Sequence, residues 1–260
     1  IGIAMGVTGT DVTKEASDMV LVDDNFASIV NAVEEGRTIF DNIRKFVHYL
    51  LATNAGEMSL MLFAALIGWP APLLAVQILW INLVTDALPA LGLGVEPSEP
   101  DVMSRPARKS DDAVISRAGG LKIILHGLLI GACGLTAFYV AYRHDPSNLS
   151  QAQTAAFCTL AYAQLFFAIA CRSQRYTMPE LRPISNPWLV AAIVVSILAQ
   201  TLVMISPAAR KLFGLTTLSV GQWFMIGLLA LTPVTIVELW KIMRARINSS
   251  PVSPTLDFPG

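Results

Sequence analysis

Leu51-Ala52-Thr53-Asn54-Ala55-Gly56-Glu57 and Trp80-Ile81-Asn82-Leu83-Val84-Thr85-Asp86-Ala87-Leu88-Pro89 each lie inside an apolar run long enough to cross a bilayer. Each nevertheless holds a carboxylate and a carboxamide where hydrocarbon would be cheaper. An acid at membrane depth costs about 2.5–3.5 kcal/mol on insertion scales and faces a protein interior or a polar cavity, so both stretches read as a functional site. On a helix, Asn54 and Glu57 at i, i+3 share one face, and Asn82, Thr85 and Asp86 at i, i+3, i+4 share another. Two such faces turned toward each other make an oxygen-lined cage.

The composition around these stretches supports a membrane setting. Of 260 residues, 54% are hydrophobic and 14% charged. The apolar residues come in blocks of about 20, the length a helix needs to cross about 30 Å of hydrocarbon. A formal net charge of −1 says little about partners, because the charges sit in loops, and nothing in it points to nucleic acid. Cys133, Cys158 and Cys171 fall in or beside apolar segments without paired or metal-ligand spacing, and read as buried, inert thiols. No signal peptide opens the chain, and the missing initiator Met leads us to expect a start inside a longer polypeptide.

Residues 1–41 have a different pattern. Ile1 to Met5 reads as a short strand, Thr10 to Ser17 as a helical turn or two, and Met19 to Val22 as a second strand. About 40 residues cannot close a core unaided, so the rest of this α/β unit is expected upstream. Asn25 reads as a helix cap, and Ile29, Val33, Ile39 and Ile43 carry helical spacing into the first apolar block as a stalk. Six spans follow in residues 42–247: Phe46 to Ile67, Leu73 to Val95, Leu121 to Tyr142, Ala155 to Cys171, Leu189 to Ile205 and Trp223 to Met243. Gly68-Trp69-Pro70-Ala71-Pro72 is a tight hairpin between the first two. Arg44, Lys45, Arg105, Arg108, Lys109, Arg117, Lys122, Arg172, Arg175, Arg182, Lys241, Arg244 and Arg246 all fall on one side; Arg143, Arg210 and Lys211 fall on the other. The positive-inside rule then makes both ends cytoplasmic. Residues 248–260, rich in Ser and Pro, read as a disordered tail.

Glu57 and Asp86 with the neutral oxygens of Asn54, Asn82 and Thr85 suit a hard cation, and the absence of Cys, His and Met argues against copper or zinc. Two carboxylates match a divalent ion better than a monovalent one. Pro89 removes a backbone donor, so an unwound stretch beside Asp86 could free carbonyls as further ligands. Asn54, Thr85 and Gln164 are equally read as interhelical hydrogen-bonding groups, with Tyr162 near Gln164. Glu238 reads as a partner of Lys241, and His48 and His126 as interfacial. The turn Thr8-Gly9-Thr10 with Gly6 could cradle phosphate or support a catalytic loop. Asp23 and Asp24 read as a solvated turn.

Several of these segments resemble P-type cation-transporting ATPases. Ile3-Ala4-Met5-Gly6, Ala16-Ser17-Asp18-Met19-Val20-Leu21-Val22-Asp23-Asp24-Asn25-Phe26 and Glu34-Glu35-Gly36-Arg37 are similar to the end of that family's HAD-like phosphorylation domain. Gln77 to Asp86 with Leu88-Pro89 resembles the sixth membrane helix of the calcium-pump-like branch, and Thr53-Asn54-Ala55-Gly56-Glu57 its fifth. Met103-Ser104-Arg105-Pro106 and the later spans continue the likeness to about Arg246. The resemblance implies that Asn54, Glu57, Thr85 and Asp86 contribute to one cation site, and Asn82 with Asp86 to a second. In the two-site calcium pump of the reticulum a Glu on the eighth helix completes the first site. Gln164 stands at that position here, which leaves one or two ions open.

The family's Asp-Lys-Thr-Gly-Thr, Thr-Gly-Glu and Gly-Asp-Gly-Val-Asn-Asp motifs and its nucleotide-binding domain do not occur in this sequence. The resemblance therefore implies that the ATP and Mg²⁺ sites lie outside this chain, that no catalytic residue lies within it, and that it is inactive alone. The expected protein is mostly α: a six-helix transmembrane bundle behind an α/β end of a phosphorylation domain. Its expected role is the membrane part of a pump, most simply for Ca²⁺, embedded in lipid and joined to the upstream part of the same pump. A pump for Mn²⁺, Mg²⁺, Na⁺ or H⁺ is one alternative, and a passive channel or binding module without ATPase activity is another.

Overall fold

The computed structural model describes residues 1–107, 113–182 and 184–248. Arg108, Lys109 and the tail from 249 onward, which entered the charge and disorder readings above, lie outside the described residues.

The chain opens with two parallel strands, β1 (Ile3–Met5) and β2 (Met19–Leu21), paired Ile3 to Met19, Ala4 to Val20 and Met5 to Leu21. Helix α1 (Asp11–Glu15) connects them, and Thr10 caps it by accepting the Thr13 amide at 3.3 Å. The Gly6 to Thr10 loop is not an open cradle. Its Val7 and Thr8 amides, the donors a phosphate would need, each donate to the Asp24 carboxylate at 2.8 Å, and Thr8 Oγ1 adds a third bond at 2.7 Å. Asp24, expected as a merely solvated turn, is thus the clamp between the two strand ends. The Val7 amide leads in holding its carboxyl below the ordinary range. The expected cap at Asn25 also shifts: α2 begins at Ala27, and Asn25 Oδ1 accepts the Ala27 amide at 2.9 Å.

Helix α2 (Ala27–Ile67) runs 41 residues without interruption. At 1.5 Å per residue it is about 60 Å long, twice the hydrocarbon thickness. It stops at Gly68, whose φ of 78° is left-handed and whose amide bonds back to the Ala64 and Ala65 carbonyls. After the hairpin, α3 (Ala75–Trp80), a π-helical segment (Ile81–Asp86) and α4 (Ala87–Gly94) form one continuous span. Then come α5 (Arg117–His144), α6 (Leu149–Ala170), α7 (Pro187–Ile205), a short α8 (Pro207–Phe213) and α9 (Val220–Asn248). Among the described residues, six helices are long and apolar enough to cross a membrane. The chain is an integral, multi-pass, mostly helical protein.

The structure departs most from the sequence reading at the start of one span and at one short helix. Helix α6 starts at Leu149, six residues before the expected Ala155, because Ser150, Gln151, Gln153 and Thr154 hide its first turns from a search for apolar runs. Two of these side chains donate to backbone carbonyls, Gln153 to that of Ala71 in the hairpin at 2.9 Å and Thr154 to that of Ser150 at 2.7 Å. Helix α8 was not foreseen. Ser206 caps it, Pro207 fills its first position, and Phe213 turns inward against Trp80 at 5.4 Å between ring centroids.

Helix α6 is the core of the bundle, 83% buried over its apolar window and surrounded by α5, α7 and α9. Its many alanines allow that approach. Helices α2 and α5 meet still more closely at Gly131, where an added Cβ would lie 2.7 Å from the Gly56 carbonyl oxygen.

Candidate cation site

Three elements build the site. On α2, Tyr49, Thr53 and Glu57 recur at four-residue spacing and share the face turned to the bundle interior. Glu57 is 5% exposed and Tyr49 fully buried. Opposite stands the π-helical segment, which carries Asn82, Thr85 and Asp86 and from which Asn82 and Asp86 reach α2. Gln164 enters from α6.

Glu57 is the hub. Its Oε2 accepts from Asn82 Nδ2 at 2.6 Å and its Oε1 from Gln164 Nε2 at 3.2 Å. Gln164 Nε2 also reaches the Thr53 carbonyl at 3.4 Å. Asp86, fully buried, accepts from Tyr49 Oη at 3.1 Å through Oδ1. Within the site, two buried acceptors have no hydrogen-bond partner among the described residues: Asp86 Oδ2 and Gln164 Oε1. A buried acceptor left unpaired costs about 1–3 kcal/mol, so the site is short of positive charge or donors.

The helix backbone beside Asp86 is widened, not unwound as expected. Pro89 brings no amide to the turn before it, and the Val84 carbonyl takes a hydrogen bond from Ser196 Oγ of α7 at 3.4 Å. Thr85 is fully buried, and its hydroxyl bonds the Ile81 carbonyl at 2.9 Å on its own helix. Asn54 does the same, donating to Leu50 at 2.7 Å, and makes no hydrogen bond to the other five expected site residues. Tyr162 lies 3.4 Å from Thr201 Oγ1 on α7 and takes no part. Among the described residues no cluster of three or more His, Cys, Asp or Glu is placed to hold a metal, so the oxygen set is two carboxylates and neutral groups.

His48 and His126 turn toward the protein interior. They hydrogen-bond to each other at 3.0 Å and pack on Phe167, His48 being only 6% exposed. Glu238 pairs with Lys241 at 2.6 Å, and the three cysteines are free and buried.

A second polar layer lies toward the basic ends of the helices. Glu96, just after α4, accepts from Arg172 Nε at 2.8 Å and from Asn186 Nδ2 at 2.6 Å, while its carbonyl accepts from Asn42 Nδ2 of α2 at 2.7 Å. Further out, Arg105 binds Asp41, Glu99 and Asp101, and Lys45 lies 3.4 Å from Glu99. One buried layer therefore joins α2 to the ends of α4 and α6 and the start of α7.

The family described as cation transporting ATPase, C-terminus matches residues 70–243. The chain belongs to the cation-transporting ATPases. Curated relatives of this cation-transporting ATPase chain carry the name calcium-transporting ATPase. It is 47% identical to one from Bacillus subtilis (strain 168), over 87% of this chain and 25% of the relative. It is 38% identical to calcium-transporting ATPase 1 of Bacillus cereus, over 94% of this chain and 29% of the relative. Against calcium-transporting ATPase type 2C member 2 of Rattus norvegicus the identity is 39%, over 93% and 26%. The chain thus spans roughly a quarter of the length of the relatives it matches. Within this cation-transporting ATPase chain, Tyr49 is the site residue that sequence reasoning missed. Its position at i−8 from Glu57, on the same helical face, was the available signal.

Proposed function

We propose that this chain is the distal membrane part of an ATP-driven Ca²⁺ pump and that Glu57, Asn82, Thr85, Asp86 and Gln164 are its contribution to the transport site, with Asn54 beside them. The observation that carries this is the pair of unpartnered buried oxygens, Asp86 Oδ2 and Gln164 Oε1, the second on the side chain that donates to the Glu57 carboxylate. A hard divalent cation satisfies both and balances the two acids, and oxygen ligands are what Ca²⁺ takes. The names of the curated relatives favour Ca²⁺ as the cargo.

Residues 1–41 are then the end of a cytoplasmic phosphorylation domain. ATP and Mg²⁺ act on residues outside this chain, which has no catalytic group of its own and is inactive alone. Both ends of the chain face the cytoplasm, following the basic loops. Phosphorylation of the upstream part would move α2 as a rod, and α2 carries Tyr49 and Glu57 directly. A displacement that separates Glu57 from Asn82 and Asp86 weakens cation binding, so the two states differ in affinity, as transport requires.

The test uses the full-length pump in membranes incubated with labelled ATP. Ca²⁺-dependent, acid-stable phosphate is expected on the wild type and none on Asp86→Asn. Unchanged ion dependence in that variant would remove Asp86 from the site. Labelling by Mn²⁺ or Na⁺ instead would keep the pump and change its cargo.

A further inference from the structure

A cavity of about 80 Å³ opens between the basic ends of α2 and α5, at the level where both begin their apolar runs. A single water needs about 10–15 Å³ on this measure, so the cavity admits a small polyatomic group. Arg44 and His48 of α2, Ser116, Gly119 and Lys122 at the start of α5, and Gln174 beyond α6 line it; among the described residues no carboxylate does. Arg44 lies over the Phe40 ring at 5.7 Å, and neither Arg44 nor Lys122 forms an ion pair among the described residues. Arg244, another cation, is near enough to oppose the charge on Lys122.

Helix α5 adds to this positive field. It is 28 residues long with no acidic residue in its first turn, and Ser116 Oγ satisfies only the Gly119 amide, at 3.1 Å. The preceding amides of the first turn have no intrahelical acceptor. Among the described residues, cations from two helices and a helix start thus converge on one small cavity that no carboxylate lines. Next along the apolar runs, Leu121, Ile124 and Leu125 of α5 are 58%, 55% and 55% exposed, and Leu51 of α2 is 45% exposed, so an exposed apolar wall lies beside the cavity.

We propose that this cavity binds the phosphate of an anionic phospholipid head group, with the acyl chains lying along the Leu121 to Leu125 flank. Phosphate is the fitting chemistry because it accepts from a guanidinium, an ammonium and helix-terminal amides together. A head group, not a soluble ion, is favoured because the cavity sits at the bilayer surface beside that apolar wall. The proposal needs only the multi-pass membrane fold and stands whether or not the chain transports Ca²⁺.

The test purifies the full-length protein from vesicles of equal phosphatidylglycerol and phosphatidylcholine and counts retained lipid by native mass spectrometry. Phosphatidylglycerol is expected to be retained in preference, several-fold less by the Arg44→Gln/Lys122→Gln double variant, and as in the wild type by Arg44→Lys. Gly119→Asp is the companion variant: it places a carboxylate at the cavity rim and favours the helix start. It too should lose the lipid, with its thermal midpoint kept. Equal retention of the two lipids, or retention unaltered in Gly119→Asp, would overturn the site. Displacement of the lipid by an equal concentration of inorganic phosphate would assign the cavity to a soluble anion and reject the lipid.

Discussion

At the scale of single residues, the chemistry turns on how each polar group in the cage is satisfied. Gln164 donates to Glu57 at 3.2 Å while its own oxygen has no partner. Gln164→Glu replaces that donor with a third carboxylate facing Glu57. The ion-free protein should lose thermal stability, and added Ca²⁺ should raise the midpoint by more than in the wild type. Equal shifts in both proteins would place Gln164 outside the site. Tyr49→Phe works on the other acid. It strips Asp86 Oδ1 of its donor, so the ion-free form should be destabilised by about 1–3 kcal/mol, the cost of an unsatisfied buried acceptor. Denaturant unfolding without Ca²⁺ measures this. The inward placement of both acids was legible in the sequence, because a carboxylate inside an apolar run is too costly to leave facing lipid. Tyr49 was not, since a phenol is ordinary in a membrane span and only its partner makes it special. Asn54 is tied down locally, its Nδ2 donating to the i−4 carbonyl of Leu50.

Elements explain why these residues meet. Six spans and the hairpin after Ile67 follow from run length and breakers, but the π-helical segment does not, because no residue type specifies one extra residue per turn. Pro89 signalled a disturbance without its form. Close helix approach is similarly half-visible: Gly127 and Gly131 on α5 have the spacing of a packing motif, yet only the structure shows that the Gly56 backbone fills the notch. An added Cβ at Gly131 would lie 2.0 Å from Ser59 Oγ and 2.7 Å from Gly56 O. The hydroxyl can swing away and the carbonyl cannot. Gly131→Ala should therefore cost about 1–3 kcal/mol by overpacking, and adding Ser59→Ala should not restore it. Recovery in the double variant would mean that the side chain, not the backbone, sets the distance. The loop after α4 offers a pH test. Hydrogen bonding from Arg105 holds the Asp101 carboxyl down to about 2 from an ordinary 3.8. A depressed value means that the stabilisation is complete above the ordinary carboxylate range and fades as pH falls through about 2. Pepsin should leave residues 97–107 intact near pH 4 and cut there near pH 2. Cutting at equal rates would show that the Arg105 cluster does not hold the loop.

Across the whole molecule, the question is how a rod 41 residues long can act on a cage in the bundle centre. Sequence pattern counted Arg172 among the loop cations that orient the protein. The structure instead buries it to 3% exposure against Glu96, a partner 76 positions away that no periodicity could find. Through Asn42, Asn186 and Arg172, that one carboxyl residue ties α2, the end of the cage span, α6 and α7 together. A buried ion pair is a poor source of net stability, but removing one partner strands the other. Arg172→Met should destabilise the protein by about 3–5 kcal/mol, because Glu96 is left charged and buried. Glu96→Gln combined with Arg172→Met removes the stranded charge while keeping a carboxamide near Asn186, and should recover most of that loss in denaturant unfolding. If the double variant is as unstable as the single one, the layer is held by the shape of Arg172 and not by its charge. Recovery would mean that the pair is not needed to hold the helices together, and its retention in so buried a place would then be a matter of fixing α2 in register with the span that carries Asp86.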